Sequence, residues 1–456
     1  MGARGVETFA KQANPAAQRF LLRSAIVAAL GGLLFGFDTA VIAGTTRALS
    51  ETYSLSPALL GFTVASALWG TVLGSLLAAA PSDRWGRLAS LRILAVLFVA
   101  SALGCAFAWD WHSLVFFRFI GGLGIGGSSV IGPMYIAEIA PAARRGRMVA
   151  LFQFNVVAGI LLAYLSNYLL GLADFGGSEW RWKLGVEAVP GVLFFFALFG
   201  ILQSPRWLIL KGRTEEARQV LSLAGEQDVD GQLRDIVASV GTERAGRGEP
   251  LFQRRYRLPI FLAITIGAFN QLAGINAILY YLNDIFGRAG FSKVSSDLQA
   301  VAIGVTNLVF TMIAMSLIDR LGRRTLLLTG AAGTAVCLAG VAAIFASGRH
   351  EEMLVWLLVG YIAFFAFSQG AVIWVYISEV FPNLVRARGQ SLGSFTHWFM
   401  NALIAGTFPM LAAVSGSAPF VFFALMMVVQ FFVVLLIYPE TKGVTLEQME
   451  KRVAAG

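Results

Sequence analysis

MYIAEIAPAARRG occupies residues 134–146, and VYISEVFPNLVRARG occupies residues 375–389. Both follow Tyr-Ile-x-Glu-x-x-Pro-x-x-x-Arg. Tyr135 and Tyr376, Glu138 and Glu379, Pro141 and Pro382, and Arg145 and Arg386 therefore all stand 241 positions apart. A second pair, Asp83-Arg84-Trp85-Gly86-Arg87 and Asp319-Arg320-Leu321-Gly322-Arg323, recurs after 236 positions and in the same order. Charged signatures written twice at nearly one separation imply two halves of common design. Such halves are what a carrier needs if it exposes a central site to alternate sides by rocking one bundle against the other.

The solvent of this chain is mostly lipid. Of its 456 residues 57% are hydrophobic and 13% charged, far from the balance of a soluble protein. Apolar stretches of about 20 residues, enough for a helix to cross a bilayer, recur along the whole length, so a cleaved leader does not explain them. They predict twelve spans: 20–46, 58–80, 89–109, 112–138, 147–172, 183–202, 257–287, 298–319, 325–347, 353–380, 386–413 and 418–438. The expected fold is an all-α membrane protein of twelve transmembrane helices in two six-helix pseudo-symmetric bundles, with a small cytoplasmic helical linker domain. The bundles cover 1–202 and 257–438, the linker 203–256, and a cytoplasmic tail 439–456. The linker mixes a dense run of Lys/Arg with eight acids. In it Thr214, before Glu215 and Glu216, is expected to cap a helix, and Leu233, Ile236, Val237 and Val240 share one helical face.

Most of the 35 Lys/Arg fall in loops on the side of both termini; Arg47, Arg181, Lys183, Arg288, Lys293 and Arg349 fall on the other, and Arg118 lies inside a span. The positive-inside rule puts both termini in the cytoplasm, with the chain multi-pass in the cell membrane. That asymmetry accounts for the net charge of +9 without nucleic acid. Cys105 and Cys337 fall inside spans with no metal-ligand neighbours, which excludes a disulfide framework and a metal site. There is no nucleotide-binding loop and no nucleophile with a base, so no enzyme activity and no cofactor are expected.

GFDTAVIAG at 36–44, DRWGR at 83–87, PMYIAEIAPAARRG at 133–146, SPRWL at 204–208, NQLAGINAILYY at 270–281, DRLGRR at 319–324, WVYISEVFPNLVR at 374–386 and PETKG at 439–443 together resemble the sugar porter family of the major facilitator superfamily, in its bacterial sugar/proton symporter form. The resemblance covers essentially the whole chain. It implies the major facilitator fold and transport of a sugar by a monomer in the lipid bilayer.

Glu138 and Glu379 end predicted spans, Arg145 and Arg386 begin the next ones, and Arg87 and Arg323 stand on neighbouring loops. Opposite charges that meet across the halves when the cytoplasmic side is shut would bias a two-state equilibrium, as a cytoplasmic gate does in the family. Asp38 lies within the first span, where an unpaired charge costs roughly 2.5–3.5 kcal/mol. Arg118 is the comparable cation within a span. A change in their separation would change the proton affinity of Asp38, which makes the two a proton-coupling device in outline. In the family, an aspartate here accompanies proton symport.

Asn270, Gln271 and Asn276 in the seventh span offer donors and acceptors for sugar hydroxyls. Gln271 and Asn276, five apart, do not share a regular helical face unless Gly274 loosens the helix between them. By resemblance the substrate pocket also includes Phe35, Tyr280, Asn307, Gly370, Trp374, Trp398 and Asn401. Two positions depart from the family pattern: Ile160 stands where a glutamine is common, and His397 replaces an amide. The reading is proton-coupled uptake of a hexose or pentose; a proton-independent facilitator and a non-transporting sugar sensor are the alternatives.

Overall fold

The computed structural model describes residues 15–141, 144–173, 175–226, 228–245, 250–382 and 385–442. Val240 by its side chain, Asp319 by its side chain and the tail beyond 442 lie outside the described residues. Among the described residues twelve helices have the length and apolarity to cross a membrane: Pro15–Gly44, Pro57–Leu77, Arg87–Ala106, Trp111–Ile139, Arg145–Leu172 and Gly176–Gly200 in the first half, and Arg254–Tyr280, Lys293–Ile318, Arg323–Ser347, Glu351–Val380, Arg388–Val414 and Ala418–Ile437 in the second. They are numbered here as spans 1 to 12. Span 6 begins seven residues earlier than its hydropathy suggests, because it takes in the charged turn Glu179 to Lys183.

Each half packs its own six helices, and the halves meet where span 2 lies along span 11 and span 5 along span 8. Backbone hydrogen bonds inside each helix satisfy the peptide groups that lipid would leave unpaired. Several described spans are nonetheless interrupted, span 6 between Glu179–Gly185 and Ala188–Ala197, and spans 1, 7 and 10 as well. Span 1 tightens to a 3-10 turn at Ile42–Gly44. Span 7 breaks at Gly274, whose φ of +83° is open to glycine and strained for other residues. Span 10 breaks at Ser368, whose hydroxyl bonds back to the Phe364 carbonyl at 2.6 Å.

The linker forms three helices, Pro205–Leu210, Thr214–Leu223 and Val229–Ala245. Thr214 is the first helical residue and makes no side-chain cap; Arg213 holds the cap position and pairs with Glu216 instead. Leu233 and Ile236 enter a small core with Trp207, Leu208 and Leu221, whereas Val237 is exposed. Phe20 of span 1 packs against that core, so the linker rests on the first half.

The repeated Gly-Arg turns start spans 3 and 9. Gly86 and Gly322 have φ of +93° and +89°, and Arg87 and Arg323 are the first helical residues rather than loop residues. The bend turns both arginines inward, where they are 3% and 8% exposed. A Cβ at Gly86 would lie 2.2 Å from Gln203 Nε2 as well as demanding the unfavourable φ. Gly86→Ala is therefore expected to lose about 1–3 kcal/mol of stability. Thermal unfolding in detergent measures it, and an unchanged midpoint would show that the turn adapts.

Candidate functional site

Asp38 and Arg118 meet in the apolar centre of the first half. Arg118 Nη1 donates to Asp38 Oδ1 at 2.9 Å, and each residue is 4% exposed. The sequence reading missed a third member, Glu187 of span 6, 3% exposed, whose carboxyl lies within hydrogen-bonding reach of Asp38. The rule that singled out Asp38, a carboxylate inside an apolar span, applies equally to Glu187. Two carboxyl groups thus face one guanidinium.

A cavity of about 10 Å³ touches this group and is lined by Phe35, Asp38, Arg118, Tyr280 and Trp398 among others. It has room for one water, so a sugar needs these side chains to part. Tyr280 and Trp398 come from the second half, which therefore closes one wall of the ionic site.

The break at Gly274 answers the spacing problem of span 7. Asn276 Nδ2 donates to Gln271 Oε1 at 3.0 Å, a contact between residues five apart that an unbroken helix would direct to different faces. Gln271 Nε2 donates to Asn270 Oδ1 at 3.1 Å and faces His397 at 3.2 Å from Nδ1. Asn270 in turn donates to the carbonyl of Gln369, a buried amide residue that the sequence reading missed. The His397 ring lies 5.0 Å from both Trp374 and Trp398, and Trp398 lies 5.4 Å from Phe35. Asn401 Nδ2 donates to the Tyr280 hydroxyl at 3.3 Å.

The structure thus gathers Asn270, Gln271, Asn276, His397, Trp374, Trp398 and Phe35 into one connected group, with Tyr280 and Asn401 beside it. Phe35 and Trp398 also line the Asp38 cavity, joining the two. Asn307 is buried in span 8 without a described hydrogen bond to the group, and Gly370 enters only as the neighbour of Gln369. Ile160 is buried in the core near Tyr164 and Phe37 and offers no polar group there.

At the end where span 1 starts and span 12 leads out, the repeated charges form two matching clusters. Arg87 reaches both oxygens of Glu138 at 2.9 Å, and Arg323 reaches both of Glu379 at 3.1 and 2.9 Å. Each glutamate takes a hydroxyl from the end of its own half, Ser204 for Glu138 and Thr441 at 2.6 Å for Glu379. Each preceding tyrosine does likewise: Tyr135 donates to Leu202 O at 2.6 Å and Tyr376 to Pro439 O at 3.1 Å. Glu440 accepts from the backbone of Arg323 and Arg324, as Gln203 does from Leu88. SPRWL and PETKG are therefore the third element of the duplication. The sequence reading paired these charges across the halves; in the conformation described, both bidentate pairs are internal to a half, because Arg87 and Arg323 begin the helix next to each glutamate. Arg145 is exposed, and Arg386 donates to the Phe381 carbonyl at 3.3 Å, closing its own turn.

At the opposite end a cavity of about 790 Å³ lies between the halves, lined by Thr46, Glu179 and Trp180 on one side and Asp284, Arg288 and Phe408 on the other. Asp284 lies outside the spans. Burial pushes its carboxyl up to about 6, against the pull of a Thr46 hydrogen bond and the charges of Arg288 and Arg47.

Comparison with known proteins places these features in a lineage. The family model described as "Sugar (and other) transporter" matches residues 24–452. The arabinose-proton symporter of Bacillus subtilis is 38% identical over 440 residues, covering 95% of each chain. Among solved structures, the inward-open form of the xylose transporter from E. coli aligns over 95% of this chain and all of its own, at 33% identity and a TM-score of 0.85. The proton:xylose symporter bound to 6-bromo-6-deoxy-D-glucose aligns over 95% of this chain and 99% of its own at 33% identity, with a TM-score of 0.78. With its twelve apolar helices in two six-helix bundles, this chain belongs to the sugar transporter family of the major facilitator superfamily and is a multi-pass membrane carrier rather than an enzyme.

Proposed function

We propose that the protein takes up a hexose or pentose together with a proton by alternating access, with Asp38 as the proton carrier. The observation that carries this reading is the buried group Asp38, Arg118 and Glu187, which shares a wall with the amide and aromatic cluster. Two carboxylates beside one guanidinium leave a negative charge uncompensated in apolar surroundings, and a proton relieves it. Arg118 Nε is buried with no hydrogen-bond partner among the described residues, so the guanidinium keeps a donor for a second carboxylate when Asp38 is neutral. Phe35, three residues before Asp38, rests on Trp398, which adjoins His397 and thereby Gln271. Displacement of that stack by a sugar acts directly on the ionic group. The relatives named as proton symporters agree with this chemistry.

In this reading Asn270, Gln271, Asn276, Tyr280, His397 and Asn401 supply hydrogen bonds to the sugar, and Phe35, Trp374 and Trp398 supply apolar faces for its C–H side. Asn307 and Gly370 border the same pocket. The basic loops set the clustered end and both termini in the cytoplasm, where Arg87, Glu138, Arg145, Arg323, Glu379 and Arg386 act as the gate. Halves 1–202 and 257–438 rock about the linker 203–256, and residues 439–442 at the start of the tail stay with the second half through Glu440 and Thr441. One chain contains both walls of the site, so a monomer suffices.

Gln271→Ala and Asn276→Ala each remove a hydrogen bond worth about 0.5–1.5 kcal/mol, so sugar affinity is expected to fall roughly 2- to 13-fold. Binding isotherms on purified protein, with lipid-facing Phe422→Ala as the control, measure this apart from turnover. Wild-type affinity in both amide variants would place the sugar elsewhere.

One proton charge moving inward gains about 2.3 kcal/mol for each 100 mV of inside-negative potential, enough to drive accumulation. Asp38→Asn keeps shape and polarity but cannot release a proton. The variant is expected to lose uphill uptake in proteoliposomes while retaining sugar exchange. Wild-type uptake that ignores a protonophore and stops at equilibrium would make the protein a facilitator and Asp38 a fixed partner of Arg118.

A further inference from the structure

Two ion pairs cross between the halves at the end opposite the duplicated charges. Lys183 of span 6 is fully buried, with Nζ 2.8 Å from Glu179 Oε1 in its own helix and 3.3 Å from Asp297 Oδ2 of span 8. Asp297, 1% exposed, also accepts from Asn283, and Lys293 of span 8 reaches back to Glu179 Oε2. Glu179 and Lys183 belong to the first half; Asn283, Lys293 and Asp297 belong to the second. Nearby the halves touch backbone to backbone, since a Cβ on Gly61 of span 2 would lie 1.9 Å from the Gly406 carbonyl of span 11. Tyr281 stacks on Phe408 at 5.0 Å on the floor of the 790 Å³ cavity.

We propose that Glu179, Lys183, Lys293 and Asp297 form the outer latch of the transport cycle, joined while the carrier faces inward and parted when its outer side opens. The proposal rests on the transport reading above and on the orientation given there. Two features of the geometry support it beyond the contacts themselves. At the cytoplasmic end the two described bidentate pairs, Arg87 with Glu138 and Arg323 with Glu379, stay within each half and do not themselves tie the halves together. The fold is also nearer the inward-open relative, at a TM-score of 0.85, than the sugar-analogue-bound one, at 0.78.

The energetics suit a gate rather than a clamp. The cluster carries two positive and two negative charges, and desolvating them offsets most of what their pairing returns. Opening rehydrates the three buried members, Glu179, Lys183 and Asp297, while Lys293 is already in water, so the latch can yield each cycle at little net expense. Removing one member changes that balance, because the shut state then buries a charge without compensation while the open state gives it water. Asp297→Asn leaves Lys183 and Lys293 to share Glu179 alone. Lys183 also donates to the Gly44 carbonyl at 3.3 Å, at the end of span 1 and six residues beyond Asp38. The latch thus holds the helix that carries the proposed proton site.

The test uses the full chain in lipid nanodiscs, with Cys105→Ala and Cys337→Ala, and with spin labels on cysteines replacing Thr52 and Arg349. Both positions are exposed at the outer end, one on each half. Electron-electron distance distributions then report how far that end is open. Lys293→Gln, at a residue whose side chain is 59% exposed, leaves the core intact and is expected to raise the long-distance population about two- to fivefold. Asp297→Asn is expected to raise it further. Inverting all four charges together, Glu179→Lys, Lys183→Glu, Lys293→Glu and Asp297→Lys, is expected to return the distribution toward that of the unsubstituted chain. Folded, monodisperse Lys293→Gln and Asp297→Asn proteins with the unsubstituted distribution would overturn the latch. Sugar exchange by the unsubstituted protein in the same preparation separates the two claims: its absence defeats the transport reading, whereas unchanged distances with intact exchange defeat the latch alone.

Discussion

The pairing of Asp38 with Arg118 is the constraint around which the first half is arranged. Either charge alone among these apolar helices would be costly, so spans 1 and 4 must stay in register for both to be tolerated. Glu187 brings span 6 into the same requirement, and Tyr280 and Trp398 bring in the second half as the wall that keeps bulk water away. On the transport reading, sugar and proton would not occupy separate compartments. Both would meet the Phe35 and Trp398 rings, so a movement that admits one would alter the surroundings of the other.

The duplicated clusters, at the end where span 1 starts and span 12 leads out, show how each half stays a body. In both, an arginine starts one helix, a glutamate ends the next, and a hydroxyl from the end of the half closes the triangle. Helix ends tied in this way move together, which rigid-body rocking requires. The charge cluster at the opposite end has no such counterpart in duplicate among the described residues. Its members come from the start of span 6 and the start of span 8, so it joins the halves where the others hold each half together.

Hydropathy and spacing made the architecture legible because lipid demands long apolar helices and a duplication leaves equal separations. Gly274 was readable as a break since a glycine between two amides stands out; the break at Ser368 carries no such mark. Which glutamate meets which arginine was not readable. Arg87 and Arg386 have the same charge, and only the packing of span 3 against span 4 decides that Glu138 takes the former. Glu187 was overlooked because the search for partners of Asp38 considered cations alone. Lys183, at the edge of a hydropathy window, read as a loop charge although it is fully buried. Its partner across the halves, Asp297, lies 114 residues away, a distance at which pattern says nothing.

Gln271 is satisfied at both ends, by Asn276 on its carbonyl and by Asn270 and His397 on its nitrogen. On the transport reading, a sugar that reaches Gln271 would trade hydrogen bonds instead of adding them, hydroxyl for amide. Asn401 Oδ1 and Gln369 Oε1 differ, since both are buried without a partner among the described residues. A hydroxyl missing opposite Gln271 would cost little, because the amides fall back on one another, whereas one missing opposite Asn401 would leave a buried acceptor orphaned. Such a pocket would be lenient along the chain of amides across the broken seventh helix and exacting beside Asn401.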